Sequence, residues 1–142
     1  MDARFSEIAQ WFQTLTPVSL EHVENIYASD AVFIDPFNHL KGLASVRAVY
    51  QHMFDTLEHP RFVVTTTVSN GHQAFMTWDF LFKCRGQAQQ ISGCTQFELN
   101  AQGLIVLHRD YWDAAQQVYE KIPVLGSVIR MIRRKLSLPA AK

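Results

Sequence analysis

Four stretches rich in β-branched and aromatic residues, separated by strong turn signals, fill residues 61–112. Arg61 to Val68 runs into Ser69-Asn70-Gly71, and Ala74 to Cys84 runs into Arg85-Gly86. Ser92 to Leu99 then meets Asn100-Ala101-Gln102-Gly103, and Leu104 to Trp112 closes the series. Gly and Asn supply the positive φ that a tight hairpin needs. The region therefore reads as consecutive antiparallel hairpins. Such a sheet has to cover one face, and the cover must come from the residues before it.

Those residues are patterned as helices. In 2–15, Phe5, Ile8, Phe12 and Leu15 form one apolar stripe with Trp11 beside it, and Thr16-Pro17 stops the run. Ser19 suits the cap of a second helix, Leu20 to Tyr27, with Leu20, Val23 and Tyr27 on one face. Ser29-Asp30 breaks it, and Ala31 to Phe37 reads as a short strand. Asn38 to Gly42 reads as a loop. A third helix follows from Leu43 to Leu57, with Val46, Val49, Tyr50, Met53, Phe54 and Leu57 on a broad apolar face, and His59-Pro60 ends it. Helices followed by hairpins give an α+β domain whose sheet curls around the helices.

The stretch Ala31-Val32-Phe33-Ile34-Asp35-Pro36-Phe37 holds a carboxylate among apolar residues. Pro36 keeps Asp35 on extended backbone. Two readings stand side by side: a turn residue, since Asp-Pro opens turns, or an acid placed to bind or move a proton.

Composition narrows the functional classes. The chain has 142 residues, 48% hydrophobic and 18% charged, which suits one globular domain with a real core. Its formal net charge is zero, so no nucleic-acid role is expected. Cys84 and Cys94 read as reduced cysteines, with a cross-strand disulfide as the alternative. Their spacing fits no zinc motif and the histidines are scattered, so no metal is expected. No secretory signal or bilayer-length apolar run is evident, and the expected location is cytoplasmic.

Residues 114–142 read as a helical extension of the domain over residues 1–113. Val118, Ile122, Leu125, Ile129, Ile132 and Leu136 form a stripe that Pro123 and Gly126 interrupt. Arg130, Arg133, Arg134 and Lys135 crowd its end. Two readings remain: a helix packed on the domain with cations at its C-terminus, or peripheral contact with an anionic membrane.

The segments IYASDAVFIDPF, HLKGLASVRAVYQHM and FELNAQGLIVLHRDYWD carry a resemblance. Over residues 5–113 the chain resembles the nuclear transport factor 2-like superfamily, in its SnoaL-like and ketosteroid isomerase-like branch. The resemblance implies a cone-shaped curved antiparallel sheet wrapped around N-terminal helices, an open end, and a pocket for an apolar small molecule. It also implies a homodimer through the outer face of the sheet. Asp35 falls on the general-base position of the isomerases. Their oxyanion-hole tyrosine and aspartate positions fall near Trp11 and Thr95, neither of which is an acidic donor. The motif RDYWD is similar to one in limonene epoxide hydrolases, whose catalytic aspartate matches Asp110. Their arginine and second aspartate find only Thr77-Trp78-Asp79-Phe80, without an arginine.

Strand alternation puts His108, Asp110 and Trp112 on one face, and Arg109, Tyr111 and Asp113 on the other. With the resemblance, Asp35, Asp110 and His108 become the candidate catalytic groups. Trp11, Trp78, Phe80, Phe82, Thr95, Phe97 and Trp112 become candidate ligand contacts, with His39 at the mouth. Residues two apart on a strand stand roughly 6.5–7 Å apart, so a His108–Asp110 bond depends on side-chain reach. Such a pair can act as a general base with its orienting partner. The implied function is a cofactor-independent isomerase, cyclase or hydrolase that moves a proton on an apolar ligand. The alternatives are a non-catalytic binder of an apolar or lipid-like ligand, or a protein-interaction module.

Overall fold

The computed structural model describes residues 2–117 and, beyond them, only 131, 134 and 135. The chain divides into two compact units, Met1–Trp112 and Asp113–Lys142. The first begins with helices α1 (Asp2–Gln13) and α2 (Pro17–Leu20) and a 3-10 turn, Val23–Asn25. Strands β1 (Tyr27–Ile34) and β2 (His39–Lys41) precede helix α3 (Leu43–Thr56). The meander follows as β3 (Glu58–Asn70), β4 (Gln73–Cys84), β5 (Gln87–Leu99) and β6 (Ile105–Tyr111). In the second unit only a short helix, α4 (Ala114–Gln117), is described. The rest of the expected apolar stripe, from Val118 to Leu136, lies outside the described residues, and so does the expected membrane contact.

The six strands form one curved, unclosed sheet in the order β2-β1-β6-β5-β4-β3. Every neighbouring pair is antiparallel except β1 and β6, which run parallel. A hairpin forces antiparallel pairing on its two strands. Between β1 and β6 lie α3 and the whole meander, so no such constraint applies. The pairing sets Phe33 beside His108 in register.

Several local expectations shift. Thr16-Pro17 not only ends α1 but starts α2: the Thr16 hydroxyl accepts from Ser19 N, and the Ser19 hydroxyl accepts from Thr16 N. The second helix stops at Leu20 because Tyr27 is drawn into the sheet opposite Ile105. His39–Lys41, expected as loop, pairs with Ile34–Val32 as an edge strand. His59-Pro60 lies inside β3, where the register slips between Glu58 and Arg61 and His59 adopts φ 50°. An edge strand tolerates a proline and a bulge there.

The expected turns are present. Arg85 and Gly86 both have positive φ, as a two-residue hairpin between Cys84 and Gln87 requires. Cys84 stands across from Gln87 and Cys94 across from Thr77, so the register separates them and both thiols are free.

The concave face of the sheet packs on α1 and α3 through Phe5, Ile8, Phe12, Val46, Tyr50 and Phe97. Arg4 ties α1 down, donating to the carbonyls of Gly103 and Asn25. The opposite face leaves Val63, Val68, Phe75 and Tyr111 exposed. Among the described residues no helix is long and apolar enough to cross a membrane.

Candidate functional site

Between the sheet and the helices lies a cavity of about 260 Å³ that opens at one end. Its walls come from α1 (Phe12), β1 (Phe33), α3 (Tyr50, Met53), β3 (Phe62), β4 (Trp78, Phe80) and β6 (His108, Asp110). The alternation along β6 holds: His108, Asp110 and Trp112 line the cavity, and Arg109 and Tyr111 are exposed outside.

One hydrogen-bonded chain runs along the deep wall. His108 Nε2 lies 2.7 Å from Asp110 Oδ1, so the two side chains do reach each other along β6. The Thr95 hydroxyl donates to the same oxygen at 2.5 Å, and the Trp78 indole N–H donates to Thr95 Oγ1 at 2.8 Å. On the other side of the ring, His108 Nδ1 lies 2.7 Å from the Tyr27 hydroxyl, which lies 2.8 Å from that of Tyr50. With the Nε2 proton given to Asp110, Nδ1 accepts from Tyr27, and Tyr50 donates to Tyr27. A second proton on the ring would reverse this chain and release the Tyr50 hydroxyl as a donor. Burial above all pushes the Tyr27 hydroxyl well above the usual phenol range. Its hydrogen bond with Tyr50 counters this, and the Asp110 charge adds to the rise. Burial does the same to Tyr50, reinforced by Tyr27 and by the carboxylates of Asp110 and Asp35. Both therefore stand as neutral phenols.

The two partners of the pair differ in exposure. His108 is 3% exposed at its side chain and has both ring nitrogens engaged, whereas Asp110 is 17% exposed. Asp110 Oδ2 has no hydrogen bond from any described residue. The carboxylate is the more exposed of the two, and both side chains line the cavity.

Asp35 is a turn residue whose side chain also reaches the cavity. Its Oδ1 accepts from the backbone N–H of Phe37 and Asn38 at 2.8 and 2.7 Å, and the Asn38 side chain bonds both oxygens. That is an Asp-Pro turn closed by its own carboxylate. The same side chain also lines the cavity.

The other predicted residues divide. Trp78, Phe80, Thr95 and Trp112 line the cavity. Phe82 packs on Phe80 with ring centroids 5.1 Å apart but is not among the lining residues. Phe97 is fully buried in the core between Phe12 and His108. Trp11 meets Tyr27 and Tyr50 edge-on and is not among the lining residues. His39 is exposed on β2, away from the lining. Asp79, across the sheet from Trp78's face, accepts from Ser92 Oγ at 2.7 Å and does not enter the cavity. The epoxide hydrolase triad is therefore not assembled. Among the described residues no group of His, Cys, Asp and Glu is placed to hold a metal ion.

Tyr27 and Tyr50 were not singled out from the sequence, nor were Phe12, Phe33, Met53 and Phe62 as cavity walls. Their apolar spacing marked the helix residues as core, which is correct but incomplete. The tyrosine hydroxyls find partners 23 and 81 residues away, and no local pattern carries that.

The sequence matches the SnoaL-like domain over residues 8–108, most of the chain. The chain belongs to the SnoaL-like family. No curated protein matches it. Solved SnoaL-like and related structures share its fold at low identity. A proposed SnoaL-like polyketide cyclase from Shewanella putrefaciens CN-32 is 16% identical with a TM-score of 0.71, over 87% of this chain and 98% of that one. A nuclear transport factor 2-like protein of unknown function from Burkholderia pseudomallei K96243 is 14% identical with a TM-score of 0.72, over 83% and 96%. An epoxide hydrolase of M. tuberculosis, described as LEH-like, is 16% identical with a TM-score of 0.67, over 93% and 94%.

Proposed function

We propose that this SnoaL-like domain binds a compact, largely apolar small molecule and that Asp110 moves a proton to or from it. The observation that carries this reading is the asymmetry of the carboxylate. One oxygen is fixed by His108 and Thr95, and the other, which has no hydrogen bond from any described residue, lies beside a largely apolar cavity. An acid held in one orientation, in surroundings poor in water, suits general acid–base chemistry. His108 acts as the positioning residue, and proton transfer of this kind requires no cofactor. Cavities of about 150 Å³ hold a benzene ring. The volume here, about 260 Å³, favours a ligand of one or two rings, its outer end reaching toward Asp35.

The test is the mass of the compound retained by the native protein, compared among wild type, Asp110→Asn and Asp35→Asn. A compound chemically altered by the wild type and by Asp35→Asn, but carried unaltered by Asp110→Asn, supports proton transfer at Asp110. The same unaltered compound on all three proteins would leave a carrier and remove the enzymatic reading.

A further inference from the structure

The polar groups around Asp110 are unequal in kind. With the hydrogen-bonded chain set as described, the Trp78 N–H is spent on Thr95, the Thr95 hydroxyl on Asp110, and the Tyr50 and Tyr27 hydroxyls on the path to His108. Thr56, nearer the opening, donates to the His52 carbonyl. Two lining donors have no partner among the described residues: the Trp112 indole, further out along β6, and the exposed ring of His52 on α3. Acceptor capacity, by contrast, is open at the deep end, on Asp110 Oδ2. The described lining contains two carboxylates and no lysine or arginine. Aromatic rings supply much of the remaining wall, among them Phe12, Phe33, Tyr50, Phe62, Trp78 and Phe80.

A carbonyl or carboxylate ligand would reach this deep end without a donor and beside like charge. Each buried acceptor left unpaired carries a desolvation cost. A cation bearing N–H groups meets the opposite situation: an open carboxylate oxygen for a charge-assisted bond and ring faces of negative potential around it. We infer that the ligand is a hydrophobic amine bound as its ammonium ion, with its N–H groups directed at Asp110 and its apolar body between the aromatic walls. This inference rests on the cavity being the ligand site.

Calorimetric titration with benzylamine, benzyl alcohol and benzoate at neutral pH tests it, because the three probes share a ring and differ in charge. Benzylamine should bind about tenfold or more tightly than benzyl alcohol, the factor expected for a partly desolvated cation beside rings and a carboxylate, with benzoate weakest. In Asp110→Asn that advantage should shrink by about tenfold. Circular dichroism reports whether the variant is folded. The wild-type rank order decides the question without any variant. Benzoate equal to benzylamine, or benzyl alcohol equal to it, overturns the inference and leaves the cavity as a ligand site. If none of the three probes binds, the cavity reading falls and this inference falls with it.

Discussion

His108 is a buried imidazole with a different class of partner on each nitrogen, a carboxylate on one side and a phenol on the other. The two tyrosines beyond it are therefore not equivalent. Tyr27→Phe deletes the hydroxyl that His108 Nδ1 needs and leaves a buried acceptor unpaired, at a cost of about 1–3 kcal/mol. Tyr50→Phe removes only the donor to Tyr27, which can still give its own proton to His108, so about 0.5–1.5 kcal/mol is expected. Urea unfolding of both variants should give that order. The reverse order would mean that the Tyr27 hydroxyl does not stand between Tyr50 and His108. At this scale the sequence was informative where one strand decided the geometry. Residues 108, 110 and 112 share a face by alternation alone, and Asp35 was legible as both a turn acid and a cavity acid. Trp11 and Phe97 were beyond such reading, because whether a ring faces a cavity or the core beside it depends on how helix and sheet dock.

The β4–β5 ladder shows how an element shapes the cavity. Gly93 lies opposite Trp78, and a Cβ there would come within 2.6 Å of the indole Cη2 and 2.9 Å of the Tyr111 carbonyl oxygen. The absent side chain is what lets the indole lie across β5 and reach Thr95. The backbone oxygen cannot swing aside, so Gly93→Ala must displace the indole. A loss of about 1–3 kcal/mol, typical of overpacking, is expected together with a changed tryptophan emission. An unchanged spectrum and unchanged stability would show that Trp78 is not seated against β5. Elements were legible wherever period and turn chemistry agreed, as in α1, α3 and the three hairpins of the meander. β2 was not, because three residues are too few to show alternation. The parallel join of β1 to β6 has no local sequence signature, since it is made across the whole meander.

At the scale of the whole molecule, the buried tyrosines link stability to alkaline pH. Tyr27 and Tyr50 both hold their protons well above the ordinary value of 10.0, chiefly through burial. Below pH 10 the folded and unfolded chains both keep these protons, so neither group makes stability depend on pH. Above it the unfolded chain releases them while the folded chain retains them, so the unfolded state binds fewer protons and stability falls as pH rises. The decline starts at the unfolded value and continues until the folded values are reached. Each tyrosine contributes about 1.4 kcal/mol per pH unit within that window, and the two together about twice that. A domain with an ordinary margin of about 5–15 kcal/mol should therefore lose a measurable part of its stability above pH 10. Urea denaturation at stepped alkaline pH measures the slope directly. Tyr50→Phe should remove about half of the tyrosine contribution to it, although the variant begins from lower stability at neutral pH. A slope identical to that of wild type would mean that the Tyr50 hydroxyl titrates in the folded protein as it does in the unfolded chain, and would place it in contact with water instead of at the sealed end of the chain from His108.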